Sequence, residues 1–212
     1  MKYIIVTGGT GNLGLVICKK LLLLGYGVIN LSTKDLPVGY EQVINIPIDL
    51  LSRESIKNAY LKIKKLKLDV YGIINNAGIT DKSDFMFLNF DDFSKLLNVN
   101  VINQLYLNQC ISKLFVRKKE GLIITISSNA TKYVDKGFFA YTLSKRMLID
   151  ATMLMANDLS SYGVRVNCIS PGIINNQMGR LNSEEYISTM KSRSFGNVFV
   201  SDDAITNTIS FI

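Results

Sequence analysis

Short apolar runs alternate along the whole chain with longer stretches whose apolar residues recur every three or four positions. The runs Tyr3–Val6, Gly27–Leu31, Val43–Ile46, Tyr71–Ile74, Leu122–Ile126 and Val164–Ile169 are β-branched and nearly free of charge, which predicts strands buried on both faces. Between them, Leu13–Leu24, Ser52–Leu66, Asp91–Val99, Ile102–Lys118 and Phe139–Ser161 have helical periodicity. The first of these stops at Gly25, and the second is amphipathic and rich in lysine. A short helix is predicted near Ser183–Met190. Ser201 reads as the start of a last one, with Ala204, Ile205, Thr208, Ile209 and Ile212 at helical spacing. Strands alternating with helices in this way predict an α/β fold, a doubly wound parallel sheet with helices on both faces.

In such sheets ligands gather beyond the carboxyl ends of the strands. Four segments fall at such ends: the turn from Thr7 to Gly14, Asn75-Asn76-Ala77-Gly78, Ser127-Ser128 and Ser170-Pro171-Gly172. They are expected to meet on one rim. The first contains Gly9-x-Gly11-x-x-Gly14 between strand and helix, where glycines let the backbone approach a pyrophosphate seated at the helix N-terminus. A tight turn with no ligand is the plainer reading; Gly8, Thr10, Gly11, Asn12, Leu13 and Gly14 together favour dinucleotide binding. At the end of the second strand, a dinucleotide without a 2′-phosphate is usually gripped by an acid. Here Ser32-Thr33-Lys34 offers two hydroxyls and a cation, which suits a 2′-phosphate and favours NADP(H) over NAD(H). Asp35 follows about one turn late for a ribose contact.

The 212 residues, 48% hydrophobic, suffice for one domain over 1–212 with a sizeable core. The net charge of +7 is read chiefly as solvated helix faces, with clusters at Lys62-Lys64-Lys65-Lys67 and Arg117-Lys118-Lys119. An anionic ligand such as a dinucleotide or a phosphopantetheine carrier is the sharper reading of that charge. No aromatic residues interleave with these clusters, so no nucleic-acid partner is expected. Cys18, Cys110 and Cys168 are odd in number, widely spaced and set in apolar stretches, which reads as buried thiols in a reducing compartment. No metal site, signal peptide or membrane span is expected, and the protein is placed in the cytoplasm. The polar stretch 175–196 is expected to form a flap beside the rim.

There is no histidine, which removes the commonest general base and leaves a perturbed tyrosine as the leading candidate. Tyr141 and Lys145 lie four residues apart and share a helix face, with Ser128 thirteen residues upstream of the tyrosine. A useful phenolate fraction at pH 7 requires a downward shift worth about 4 kcal/mol. A nearby ammonium and the positive nicotinamide of an oxidised cofactor are the groups expected to supply it. Ser128 would orient a substrate oxygen toward the phenol. On its own, a Tyr-x-x-x-Lys pair reads as two solvated side chains that meet by periodicity.

Taken together, Thr7-Gly8 through Gly14, Asp49-Leu50, Asn75-Asn76-Ala77-Gly78, Asn100, Ser128, Tyr141/Lys145 and Asn167 through Pro171-Gly172 resemble the short-chain dehydrogenase/reductase family in its smaller, single-domain branch. The 3-oxoacyl-carrier-protein reductases share this motif set. The resemblance implies a Rossmann-type domain that passes hydride between nicotinamide and a carbonyl or secondary alcohol. By it, Tyr141 is the acid/base, Lys145 lowers its pKa and binds the nicotinamide ribose, and Ser128 polarises the carbonyl. Asn100 would hold a relay water. Ser127 and Asn98 are the neighbouring rivals of Ser128 and Asn100. Asp49 and Leu50 would flank the adenine, Asn76, Ala77 and Gly78 the adenosine ribose, and Pro171, Gly172 and Ile174 the nicotinamide. A homodimer or homotetramer through the helices at Ile102–Lys118 and Phe139–Ser161 is implied, with Met147, Leu148, Met153 and Met155 as candidates for its surface.

Three positions depart from the branch. Asn12 replaces a usual glycine, so the loop resembles that of the extended branch, which includes sugar-nucleotide epimerases; Asn176 stands where a threonine often contacts the cofactor. The family also continues into a final strand beyond the last helix seen here. The substrate is expected to be a small carbonyl or alcohol, carrier-bound or phosphorylated, with Asn175, Asn176, Gln177, Arg180 and Asn182 leaning toward a polar one. A sugar or nucleotide-sugar oxidoreductase and a protein that senses NADPH without turning it over are the alternatives.

Overall fold

The computed structural model describes residues 1–133, 135–174, 184–194, 196 and 198–212. Six strands form one parallel sheet: β1 (Lys2–Thr7), β2 (Gly27–Ser32), β3 (Ile44–Pro47), β4 (Asp69–Asn75), β5 (Gly121–Ile126) and β6 (Val164–Ile169). Their order is β3-β2-β1-β4-β5-β6. The chain winds outward from β1 in one direction, returns, and then winds the other way. That reversal opens a crevice beside the carboxyl end of β1.

Helices α1 (Asn12–Leu23), α2 (Arg53–Lys65), α3 (Phe90–Leu97), α4 (Asn103–Lys118), α5 (Phe139–Ser160), α6 (Glu184–Ser192) and α7 (Asp202–Phe211) are each at the expected place. Local chemistry explains their ends. Gly25 has φ +81° and closes α1, with Tyr26 N–H donating to Leu21 O at 3.1 Å and Gly25 N–H to Leu22 O at 3.0 Å. Ser52 caps α2 by accepting from Ser55 N–H at 3.1 Å, and Ser201 caps α7 by accepting from Ala204 N–H at 3.1 Å. Lys62, Lys64 and Lys65 crowd the last turn of α2, where the helix dipole favours cations.

The strand side chains feed two cores. Ile5, Ile29, Ile73 and Ile123 pack against α2, α4 and α5; Ile4, Val6, Val28, Ile74 and Ile124 pack on the other face against α1 and α7. Alternation along each strand, with apolar residues at nearly every position, is what a doubly covered sheet requires.

Two features depart from the sequence reading. Asn98–Ile102, between α3 and α4, winds as a π-helix, so the two helices are continuous in space but differ in register. Near their carboxyl ends β4, β5 and β6 carry Asn75, Thr125 and Cys168 in lateral register. The sheet is therefore polar where it meets the rim. Cys18 and Cys110 are buried as expected, whereas Cys168 is only partly buried. Among the methionines and leucine assigned to an outer surface, Met147 and Met153 are exposed, Leu148 is buried, and Met155 packs on the core. No described helix is long and apolar enough to cross a membrane.

Candidate active site

The loop after β1 shows why glycine is used there. Gly8 has φ +66°, its N–H donates to Leu31 O at 2.8 Å, and a Cβ on it would sit 3.0 Å from the Ala77 backbone. A Cβ on Gly14 would meet Gly8 O at 2.1 Å, so α1 can enter this close to the strand only without a side chain there. Gly11 and Asn12 are exposed at the start of α1, whose first turn has neither a side-chain cap nor an acidic residue. By contrast α2, α3 and α7 each carry both. The α1 amides and dipole are thus left for an external anion, and the residues present fit a dinucleotide pyrophosphate. Thr10 and Leu13 flank this turn, partly buried.

Beside it, the segment after β4 is pinned to the glycine loop. Thr7 Oγ1 accepts from Asn76 N–H and Ala77 N–H, both at 3.0 Å, and Asn76 Nδ2 donates to Thr7 O and Gly8 O, both at 3.1 Å. At the outer edge, an open groove of about 600 Å³ runs between Thr33 after β2, Pro47–Asp49 after β3, and α2 as far as Lys62. Asp49 is exposed and its carboxylate accepts from Leu51 N–H at 2.9 Å, while Leu50 is buried.

Ser32, the last residue of β2, and the residues after it do not point alike. Ser32 is 6% exposed and donates to Asn30 Oδ1 at 2.8 Å, within a chain that continues from Asn30 Nδ2 to Asn45 Oδ1 at 2.9 Å. Its hydroxyl also accepts from Thr10 N–H at 3.5 Å, so it ties the sheet edge to the glycine loop. Thr33, Lys34 and Asp35 are exposed.

On the other side of β1, the acid–base candidates converge. Lys145 is buried on α5 and donates to Ile126 O at 2.9 Å, with its ammonium 5.7 Å from the centre of the Tyr141 ring. Burial lowers this ammonium's pKa to about 8, slightly offset by the nearby Cys168. Burial pushes the Tyr141 phenol up, and a hydrogen bond with the Ser128 side chain pulls it partly back. Of the chain's own groups, burial is the larger influence on Tyr141, and it favours the neutral phenol.

The neighbouring rivals are separated by geometry. Ser128 meets Tyr141, whereas Ser127 is buried and donates to Lys145 O at 2.8 Å. Asn98 donates back to Ser94 O at 2.9 Å within its own helix. Asn100 is fully buried; it accepts from Ile79 N–H and donates to Ile79 O, both at 2.8 Å, and donates to Ser144 Oγ at 3.1 Å. Ser144 passes this on by donating to Tyr141 O at 2.7 Å. Both polar atoms of the Asn100 side chain are thus engaged. Gly78 crosses directly over these groups: a Cβ there would lie 3.3 Å from Asn100 Oδ1 and 3.5 Å from Lys145 Nζ.

Pro171, Gly172 and Ile174 close the far side of the rim. Asn129 N–H donates to Pro171 O at 2.8 Å, and Ile174 bridges to Val200. Residues 175–183 and 195, including Asn175, Asn176, Gln177, Arg180 and Asn182, lie outside the described residues. The described part of that stretch supplies a wall that the sequence did not disclose. Tyr186 of α6 stacks on Phe138 with ring centres 5.0 Å apart, and its phenol is pushed up to about 12 by burial, Asp135 and the nearby Tyr141, against the pull of Arg193. Arg193 in turn grips both carboxylate oxygens of Asp135 at 2.8 and 3.1 Å and lies over the Tyr133 ring.

This geometry has close counterparts. The family model for short chain dehydrogenases matches residues 2–187. The 3-oxoacyl-(acyl-carrier-protein) reductase of Aquifex aeolicus is 29% identical over all of this chain and 89% of its own length. The acetoacetyl-CoA reductase of Synechocystis is 31% identical over 84% of this chain and 73% of its own. Among solved structures, a 4-hydroxyisoleucine dehydrogenase complexed with NADH superposes with a TM-score of 0.92 at 26% identity, covering 100% of this chain and 90% of that one. A nucleotide-ready glycine loop, a Ser/Tyr/Lys cluster on the same rim and a family match over most of its length make this chain a member of the short-chain dehydrogenase family, and an oxidoreductase.

Proposed function

We propose that the protein reduces the keto group of a 3-oxoacyl thioester to a secondary alcohol with NADPH, Tyr141 giving the proton. The observation that carries this reading is the Tyr141 phenol, kept protonated by burial and bonded to Ser128 beside a buried ammonium. A phenol held between a serine hydroxyl and a lysine can give a proton to a carbonyl or take one from an alcohol, and the names of the relatives favour reduction. Nicotinamide dinucleotide, when bound, supplies the hydride. Ser128 shares the carbonyl oxygen with Tyr141 and holds it in line for proton transfer. Lys145, on the same helix face, binds the ribose hydroxyls and stabilises the phenolate left after transfer. Pro171, Gly172 and Ile174 wall the nicotinamide face; Asp49 and Leu50 flank the adenine, and Asn76, Ala77 and Gly78 the adjoining ribose. Thr33 and Lys34 take the 2′-phosphate.

The thioester reading draws on the relatives, which are reductases of carrier- and coenzyme A-linked 3-oxoacyl groups by name. The site's own chemistry agrees with it: the wall facing Tyr141 is built from Phe138 and Tyr186, and the Arg193 charge beside them is already matched by Asp135. Assembly as a homodimer or homotetramer in the cytoplasm completes the proposal. It is supported by Phe85, Met86, Phe87 and Phe90, which leave an apolar surface open next to α5, with Met86 84% exposed.

The test is NADPH oxidation with acetoacetyl-CoA as probe, together with Tyr141→Phe. The native protein should turn over and the variant should lose about 10²–10⁴-fold in kcat, the size of general-acid loss, while binding NADPH equally well. Native protein that binds NADPH but reduces no keto thioester would instead indicate a sensor.

A further inference from the structure

The first turn of α4 and the π-helical segment before it reach both halves of the crevice. Asn103 Nδ2 donates to Leu50 O at 2.6 Å, and Gln104 Nε2 donates to Ala77 O. Leu50 follows β3 and Ala77 follows β4, and Ala77 lies against Gly8 of the nucleotide loop. Three residues earlier, Asn100 holds Ile79 and, through Ser144, the backbone of Tyr141. A stretch of five residues therefore grips two backbone walls at one end of the rim and the catalytic helix at the other.

We propose that Asn103 and Gln104 are positioning residues that set the spacing of the Leu50 and Ala77 walls, and with it the affinity for the adenosine half of the cofactor. The inference rests on the dinucleotide reading given above. Both side chains are almost wholly buried, 2% and 1% exposed. Each makes one hydrogen bond with its N–H and leaves its carbonyl oxygen, Asn103 Oδ1 or Gln104 Oε1, buried with no partner. An amide that satisfies one group and strands another contributes little net stability. What each does accomplish is to fix a carbonyl that no sheet or helix bond holds in place. Neither residue would be needed for that in a plain α-helical packing, where leucine fills the same volume.

Gln104→Leu and Asn103→Leu test this: leucine removes the stranded oxygen, and it also leaves Ala77 O or Leu50 O without its donor, a cost that the melting record reads separately. NADPH and adenosine 2′,5′-bisphosphate are titrated against native protein and both variants, with kcat followed at saturating NADPH and melting recorded alongside. The expected result is a Kd about tenfold weaker for both probes, the size of one lost hydrogen bond's worth of positioning. kcat should fall by less than threefold, and any loss in melting should be no larger than one unpaired carbonyl accounts for. Equal Kd values in native and variant proteins would overturn the inference. Native protein that binds neither probe would overturn the dinucleotide reading itself. A uniform loss of stability and kcat with unchanged Kd would mark the two amides as structural and also overturn it. Gln104→Met replaces Gln104→Leu if the latter does not fold.

Discussion

The Lys145 ammonium sits 2.9 Å from Ile126 O, buried beneath the rim with a backbone carbonyl as its partner and no carboxylate. A buried cation satisfied only by a dipole is costly to fold. Its pKa falls from 10.5 to about 8, a penalty of about 3 kcal/mol at pH 7. Between pH 8 and 10.5 the unfolded chain holds a proton that the folded one has released, so stability rises with pH across that window. Lys145→Met should therefore be inactive yet more stable at pH 7, by up to about 3 kcal/mol, and should lose the upward slope above pH 8. Urea unfolding at pH 7 and pH 10 measures both; a variant no more stable than native at pH 7 would show that the Ile126 bond outweighs burial.

The same group gives cofactor binding a pH dependence. Below about pH 8 Lys145 is a cation facing an anionic dinucleotide, and above it the charge is lost. Binding an anion favours the protonated lysine, so the decline in the complex starts higher than in the free protein. NADPH affinity should be flat from pH 6 to 7.5 and then weaken. Tyr141, shifted upward by burial, stays protonated over that range. The KM for NADPH should climb first and kcat should fall only at higher pH, where Lys145 loses its charge in the complex; a kcat that fell first, with KM constant, would assign the titration to another group.

Much of this could be read before any coordinates, and the misses have physical causes. The strands were legible because runs such as Ile123-Ile124 and Ile73-Ile74 must be buried on both faces whatever their neighbours. Ser128, Tyr141 and Lys145 were legible because helix period and strand ends place them on one rim. Ser32 and Thr33 were not separable, since which of two adjacent side chains turns inward depends on where β2 ends, a matter of one residue. Asn103 and Gln104 look like an ordinary polar helix start, and only the approach of Leu50 and Ala77 makes them interior. The π-helix at Asn98–Ile102 has no periodicity of its own to detect over five residues. For Tyr141 the sequence places a lysine on the same helix face but does not disclose the burial that pushes the phenol up.

Cofactor choice follows from the different directions taken by Ser32 and its neighbours. Ser32→Ala removes the bond to Asn30 and should cost about 1 kcal/mol of stability. It should leave the ratio of NADPH to NADH affinity unchanged. Lys34→Glu places a carboxylate at an exposed position after β2 and should invert that ratio, losing NADPH affinity by about a hundredfold through repulsion of the 2′-phosphate. Parallel fluorescence titrations with the two nucleotides decide it. A shift in the ratio for Ser32→Ala, or none for Lys34→Glu, would move the discriminating contact elsewhere along the groove toward Lys62.

Asp135 and Arg193 join the loop before α5 to the end of α6, and the pair is half-buried, with side-chain exposures of 14% and 31%. The pair is partly desolvated: one guanidinium nitrogen, Nη1, reaches both carboxylate oxygens, and the Tyr133 ring lies against the guanidinium, which together restrict its geometry. It fixes α6, and hence Tyr186, against Phe138 within reach of Tyr141. Arg193→Gln should raise the KM for acetoacetyl-CoA about tenfold, because a loosened wall forfeits orientation of the bound ketone. NADPH affinity, set on the other side of β1, should not move. The single substitution also strands Asp135 and should cost about 1–3 kcal/mol. Asp135→Asn combined with Arg193→Gln should recover most of that stability but not the KM, since two neutral amides restore a hydrogen bond without the charge and without the guanidinium over the Tyr133 ring. If the double variant recovered KM as well, the wall would need only a tether at this point, and the charge pair would have no part in orienting the substrate.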